Sequence, residues 1–503
     1  MSAQVSSTVL DVPVDRWHAL VVEQVRAGAR FAGLYASHSA ENVHLQALLA
    51  SDAGVSCLRT RLSPGSDPLT YQSLTPEVPS AFWYERAIHD LSGVVPLGHP
   101  RLDPLLLPRE PGEVSPRPGH GERALRDTQV RSGATDRRGP VDVGGGGIFT
   151  LPLGPVRSGV YESIEFLIET PGEDIPHLNI RPHYKHRGIA KRFEKLSVDD
   201  AILVAERVEG IASVAHALAF AHAAETLAHL VVPRRAQLVR VIHAELERVA
   251  NHLDVVVRLC EAAGLAIPLA RYGWHKESVV RLISAMCGNR FGRSVVRVGG
   301  IAAAPRLTPR AVSDRLAEVM ARVRADRDAL MVDASFLDRL RGTGRLDPEV
   351  AAAYGALGPV GRGSGCDNDA RRRSYDGYAE LPVPAAIEHQ GDALARLRVR
   401  WAEIDHSTEL IRRACDLLET APDQIIMPPE LVPDGYALGW SESPQGEVLY
   451  GLEVRSGVIG RCFARSASLH NMLLFREAFC GDVFTDFPFI EASFGLCYAG
   501  VAM

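Results

Sequence analysis

Between Asp199 and Asp254 the chain carries its longest helical pattern, and any fold it adopts has to house that pattern. From Ala201 to Val232 no proline interrupts, and Ala, Leu and Glu recur at helical spacing, which predicts one long helix with a wide apolar face. Pro233 is expected to end it. A second helix is expected over 236–260, where Val239, Ile242, Leu246, Val249 and Leu253 form an i, i+3, i+4, i+7 stripe with Glu245, Glu247 and Arg248 mostly off it. Two such helices predict an antiparallel hairpin. Its apolar faces are too extended to leave in water, so the hairpin is expected inside the molecule.

The remaining chain is too long for one core: 503 residues suggest two to four domains. Residues 1–110 read as a small α+β domain, with short apolar runs such as 31–35 and 44–49. From 111 to 147 the composition shifts to Pro, Gly and charge, ending in Gly144 to Gly147, a linker that cannot bury enough apolar surface to order itself. No Lys followed by Ser or Thr comes after those glycines, so they are not a phosphate loop. Residues 148–503 form the second domain, with a strand expected over 163–169 and a helix over 311–330 whose charge run is a solvated face.

Composition removes several classes of function. With 55 basic against 61 acidic residues and a formal charge of -6, nothing matches a nucleic-acid binder. The N-terminus shows no basic segment followed by an apolar one, and the uncharged run 210–224 is too short to span a bilayer and contains two histidines. The eight cysteines never fall at C-x-x-C spacing, so there is no self-contained zinc or iron–sulfur motif. Scattered thiols of this kind are buried small hydrophobes of a reducing compartment, which makes the cytoplasm the expected location.

Particular motifs say more. Arg207-Val208-Glu209-Gly210-Ile211-Ala212, His216, Arg235-Ala236-Gln237, Glu245, Arg248, His252 and Leu253 together resemble the large subunit of energy-converting nickel–iron hydrogenases. They are equally similar to its relative, the D-type subunit of NADH-quinone oxidoreductase. Tyr84-Glu85-Arg86 through Asp90 and Gly93, then Gly98-His99-Pro100-Arg101-Leu102, resembles the C-type subunit of the same enzyme. A C-like domain fused to a D-like domain is the arrangement of formate-hydrogenlyase-type large subunits. Further segments match: His186-Arg187-Gly188, Arg297-Val298-Gly299-Gly300, the block from Gly344 through Arg362, Asp369, Arg371 and Tyr378, the helix start with Arg396, Arg400 and Glu403, and 436–447. The resemblance implies an α+β protein, a small α+β domain followed by a large, mainly helical domain of the hydrogenase-large-subunit fold.

The same resemblance fails where the chemistry of the relatives takes place. Their first thiolate pair corresponds to Glu209 and Ala212, and their last pair to Cys497 and Gly500, so Cys497 is the only retained ligand position. Nickel–iron ligation uses four thiolates, because soft sulfur donors set the metal and bridge the pair. The histidine and tyrosine that hold quinone in other relatives correspond to Arg157 and Gly210, the family's motif glutamate to Ala190, and an arginine overhanging the metal to Gln445. The resemblance therefore implies a peripheral subunit of a membrane-bound, complex-I-related oxidoreductase rather than an autonomous nickel–iron hydrogenase. The chain is expected to hold no cofactor and no metal, with an iron–sulfur cluster in a partner small subunit. Membrane-embedded antiporter-like and anchor subunits are the other partners it implies, and the expected position is peripheral, on the inner face of the cell membrane. A structural or coupling subunit without redox chemistry is the alternative.

Glu209, His216 and Arg207 are the candidate catalytic residues. Glu209 and His216 are seven residues apart, two turns along one helical face, among Ile211, Ala212 and Val214; such a setting favours a carboxyl that exchanges protons near neutral pH. The competing reading pairs Glu209 with Arg207 or Arg362. Glu85, Arg86 and Asp90 read as a helix-surface ion-pair cluster, His99-Pro100 as a turn, and His252 as a hydrogen-bonded core histidine.

Overall fold

The computed structural model describes residues 8–38, 42–63, 69–107, 147–157, 162–429 and 431–503. The linker expected over 111–147 lies, except for Gly147, outside them. In the N-terminal region, strand Val43–Ser51 pairs antiparallel with Arg30–His38 on one side and Gly54–Leu62 on the other, and Thr8–Asp11 adds in parallel to Gly54–Leu62. Alternation sends Leu45, Ala47 and Leu49 to one face, against Trp17, Val21 and Tyr84 of two covering helices, Val14–Arg26 and Phe82–Ser92. Leu48, Ala50 and Cys57 on the other face join the core of the remaining chain. The sheet is therefore buried on both sides.

The expected surface ion pairs on Phe82–Ser92 are internal. Glu85 accepts from the amides of Leu74 (2.8 Å) and Thr75 (3.1 Å), and Asp90 from those of Leu105 and Leu106 (both 2.7 Å). Carboxylates buried this way satisfy backbone donors of the chain entering and leaving the helix, which a surface pair would leave orphaned. Arg86 spans Asp103 and the carbonyl of Pro104.

Strands Phe149–Leu153, Glu165–Thr170 and His177–Arg181 form an antiparallel sheet, so the strand expected over 163–169 is present. A second antiparallel meander, Gly435–Ser443, Gly446–Arg455 and Val458–Arg465, lies near the C-terminus. The expected solvent-faced helix is Pro309–Leu330. No described helix is long and apolar enough to cross a membrane.

The long helix of 201–232 does not exist as one element. Val198–Ala205 ends early, residues 206–212 are turns, and Ser213–Leu227 starts again. Gly210 weakens helix continuation. The new helix is started by a side chain from elsewhere: Glu247 accepts from the amides of Val214 (2.8 Å) and Ala215 (3.1 Å). It stops before Pro233, at Leu227, and His229 adopts a left-handed φ of 50°.

The hairpin is also absent, although both of its parts are buried. Ser213–Leu227 packs chiefly on strands Gly435–Ser443 and Gly446–Arg455, while Arg234–Ala262 packs on helices Ala266–Cys287 and Ala393–Leu418. The alanines explain the choice. A Cβ built on Gly439 would sit 2.1 Å from the Ala219 carbonyl and 2.4 Å from the Ala223 amide, so helix and sheet meet backbone to backbone. Only small side chains permit that approach.

Candidate functional site around Glu209

Three pieces of chain converge on Glu209. The loop 206–212 carries it, Ser466 caps helix Ala467–Phe479 opposite it, and the short C-terminal helix Tyr498–Val501 closes over it. Ser466 Oγ donates to Glu209 Oε1 and accepts from the Ser468 amide at 2.8 Å. Glu209 Oε2 lies 3.7 Å from His216 Nε2, and among the described residues neither atom has a hydrogen-bond partner. His216 Nδ1 is 2.9 Å from the Tyr450 hydroxyl. If that hydroxyl donates, the imidazole proton sits on Nε2 and faces the carboxylate. Both residues are sealed from solvent, at 1% and 0% exposure.

Glu209 and His216 are thus neighbours, but not as two turns of one helix. Glu209 belongs to the turn before the helix and His216 to its first turn. Arg207 points away: its side chain is half-exposed, pairs with Glu206 at 2.6 Å and bonds the Leu203 carbonyl. Arg362 is taken by Glu403 and Glu442. Neither arginine weighed as a partner reaches Glu209, because each already has a carboxylate of its own.

Cys497 lies at the other side of the site. Its Sγ is 3.4 Å from both oxygens of Glu162, which also accepts the Ala499 amide at 2.8 Å. Burial, with Glu209 and Glu162 adding to it, pushes the thiol well above its ordinary range, so the sulfur carries its proton and donates. Arg187 fastens the closing segment by donating to the carbonyls of Val208 (2.6 Å) and Ala499 (2.7 Å). Gly500 abuts the carboxylate: a Cβ there would fall 1.6 Å from Glu209 Oε1 and 2.6 Å from Ser466 Oγ. Among the described residues no group of three or more His, Cys, Asp or Glu side chains is arranged to hold a metal ion.

Beneath this lies a buried network of Arg248, Arg362, Arg371 and Arg400 against Glu245, Asp369, Glu403 and Glu442. Arg248 also donates to the carbonyls of Glu442 and Ser443, and Ser407 and Tyr378 donate to Glu245. His252 is 2.8 Å from Glu403, a hydrogen-bonded core histidine as expected. Glu245 and Arg248 do not face solvent: both are fully buried, and the exposed positions of their helix, Arg258 and Glu261, lie in its last turns.

The model of the respiratory-chain NADH dehydrogenase 30 kDa subunit matches residues 10–120, and that of the 49 kDa subunit matches residues 269–432. The chain is a fusion of 30-kDa-type and 49-kDa-type complex I domains. The fusion is 28% identical over 458 residues to formate hydrogenlyase subunit 5 of Escherichia coli (strain K12), covering 90% of this chain and 80% of that protein. It is 27% identical over 409 residues to the C/D subunit of NADH-quinone oxidoreductase from Acinetobacter baylyi, covering 76% and 68%. The C/D subunit of Acidiphilium cryptum matches at 27% over 486 residues, covering 88% and 82%. In fold it is similar to a chain in the structure of the membrane-bound sulfane sulfur reductase, an archaeal respiratory membrane complex, with a TM-score of 0.66, 22% identity, and coverage of 72% of this chain and all of the other.

In this complex I-type fusion the other positions at which the sequence resemblance implies a departure, Arg157, Gln445 and Gly210, have the following surroundings. Arg157 donates to both oxygens of Glu491 (3.1 and 2.5 Å) and lies over the rings of Phe166, Phe487 and Tyr498. Gln445 Nε2 donates to Asn251 Oδ1 at 3.0 Å, and Gly210 is exposed on its turn. Gly500→Ala is expected to lower stability by about 1–3 kcal/mol, because the added methyl must displace the Glu209 carboxylate. Removing that carboxylate as well, in Glu209→Ala/Gly500→Ala, should return part of the loss. Denaturant unfolding of the single and double variants measures the coupling.

Proposed function

We propose that this fusion is a peripheral subunit of a membrane-bound, complex-I-related oxidoreductase, and that its centre handles protons at Glu209 and His216 in place of nickel and iron. The relatives support the first part: a formate hydrogenlyase subunit, NADH-quinone oxidoreductase C/D subunits and a chain of a respiratory membrane complex. An iron–sulfur small subunit holding the cluster and membrane-embedded antiporter-like and anchor subunits are the partners this reading assigns, on the inner face of the cell membrane.

One observation carries the second part. The Glu209 carboxylate occupies the space that a side chain at 500 would need, and both positions are thiolate positions in the hydrogenase pattern. With Ala212 as the third and only Cys497 retaining sulfur, the donor set does not fit a nickel–iron pair. What remains is a carboxylate and an imidazole, buried together, each with one atom turned to the other that has no hydrogen-bond partner among the described residues. Such a pair can accept and release one proton out of contact with water. Elemental analysis of the native complex is expected to show iron but no stoichiometric nickel assigned to this chain. Glu209→Gln, which keeps shape and removes titration, is expected to lower proton-coupled turnover at least about tenfold in an assembled complex. Stoichiometric nickel in this chain would overturn the metal-free centre, and undiminished turnover in the variant would overturn the role of Glu209.

A further inference from the structure

A cavity of about 80 Å³ opens beside the loop that carries Glu209, with Gly210 on its wall. Val214, Ile283 and Phe291 make much of it apolar, and Glu247 and His243 supply polar groups. At roughly 30 Å³ per molecule the space holds two or more waters. His243 is 1% exposed, yet among the described residues its Nδ1 has no partner. A buried polar atom left open on a cavity wall calls for a ligand, and water is the smallest that fits.

Glu247 is the group that this water would meet. Its two oxygens take the Val214 and Ala215 amides, so it sits over the start of the helix whose preceding turn holds Glu209 and whose first turn holds His216. The cations around it are engaged elsewhere. Lys276 is 2.6 Å from Asp254, Arg290 is 2.5 Å from Glu277, and Arg248 is bound to Glu245 and the carbonyls of Glu442 and Ser443. Burial pushes the Glu247 carboxyl up to about 8, against the two amides and Arg248, with Glu209 adding repulsion.

We infer that Glu247 is a proton-binding site fed by water in this cavity, and that its charge sets how readily the adjacent Glu209–His216 pair takes a proton. The exchange balances simply. A hydronium in the cavity gives its proton to a Glu247 oxygen, one O–H bond breaks, one forms, and water remains. The carboxylate charge disappears, and with it the repulsion across the first turn of the helix. The second half of this inference rests on the function proposed for Glu209; the first half does not.

Infrared titration of the purified full chain tests both. A protonated-carboxyl band should appear as pH falls between about 9 and 6 and should vanish in Glu247→Gln. In Glu209→Gln the band should persist with its midpoint moved to lower pH, since the repulsion is gone. Val280→Phe places a larger apolar side chain on the cavity wall, displaces its water and should abolish the band's response to pH in that window. A window with no carboxyl band that depends on Glu247, or an unaltered titration in Val280→Phe, would overturn the water-fed site. A midpoint unmoved by Glu209→Gln would overturn the coupling alone. Because no turnover is measured, these outcomes are independent of whether Glu209 proves to be the proton-handling group of the complex.

Discussion

Arg362→Ala is expected to destabilise the protein by about 3–5 kcal/mol, the usual cost of removing one partner from a buried ion pair. Arg362 donates to Glu403 from Nε (2.8 Å), to Glu442 from Nη1 (3.0 Å) and to the carbonyl of Asn368 (2.7 Å), with 1% of its surface exposed. The four arginines of the network face four carboxylates, so deletion leaves an uncompensated negative charge where no water reaches. Arg362→Lys should recover little, since an ammonium cannot bridge Glu403 and Glu442 through a planar fork. A lowered denaturant midpoint at unchanged slope is the expected readout.

The same network fixes an acid dependence. Although burial opposes it, Arg248 and Arg371, with Ser407 and Tyr378 donating, hold the Glu245 carboxyl down to about 2. Arg362 and His252 likewise hold Glu403 well below its ordinary value against burial. A carboxyl depressed on folding binds fewer protons in the folded state, so its stabilisation is present above its ordinary value of 4.5 and is lost as pH falls toward about 2. Acid unfolding of Arg362→Ala should therefore begin at a higher pH than that of the unaltered chain.

The second large effect is expected at Gly439. Even alanine there would drive a methyl into the Ala219 carbonyl and the Ala223 amide, and both are helix backbone that can yield only by moving the helix off its sheet. Overpacking of side chains costs about 1–3 kcal/mol, and a backbone obstruction is expected at or above the top of that range. The helix carries His216, so displacement should also open the Glu209–His216 pair. Thermal unfolding of Gly439→Ala tests this, with Gly210→Ala as control. A Cβ on Gly210 meets nothing within 4 Å, and that change should stay within about 0.5 kcal/mol.

These two sites show what can be read from the residues and what cannot. The helix over 236–260 announces itself by a stripe that repeats at helical spacing, and Arg234–Ala262 forms with its ends two residues further out. The break at 206–212 gives no such sign. Its cause is Glu247, some forty residues downstream, whose carboxylate starts the second helix; propensity is local and cannot report a distant cap. Glu245 and Arg248 read as polar flank because a charged residue normally faces water, whereas here Arg371, Ser407 and Tyr378 compensate it within the core. Charges placed in the midst of an otherwise apolar helix are the available signal. Glu209 and His216 are legible as a pair, since a seven-residue separation brings groups close along a helix; a turn followed by a first helical turn brings them close as well. Gly500 against Glu209 is legible only as a motif position, because contact between the two needs the whole tertiary fold.

Glu447 gathers Arg30 from the N-terminal sheet (2.6 Å) together with Arg465 (2.5 Å) and Arg373, while Arg465 also donates to the Ala32 carbonyl and Tyr35 stacks on Phe463 at 4.1 Å. The N-terminal sheet, within the stretch that matches the 30 kDa subunit model, and the C-terminal meander thus share a single anion. Once both lie on one chain, their docking is no longer an encounter between molecules but a closure within one. Equal dosage of the two halves then follows from translation itself, and dilution cannot strip the N-terminal sheet from the charge it was built to meet.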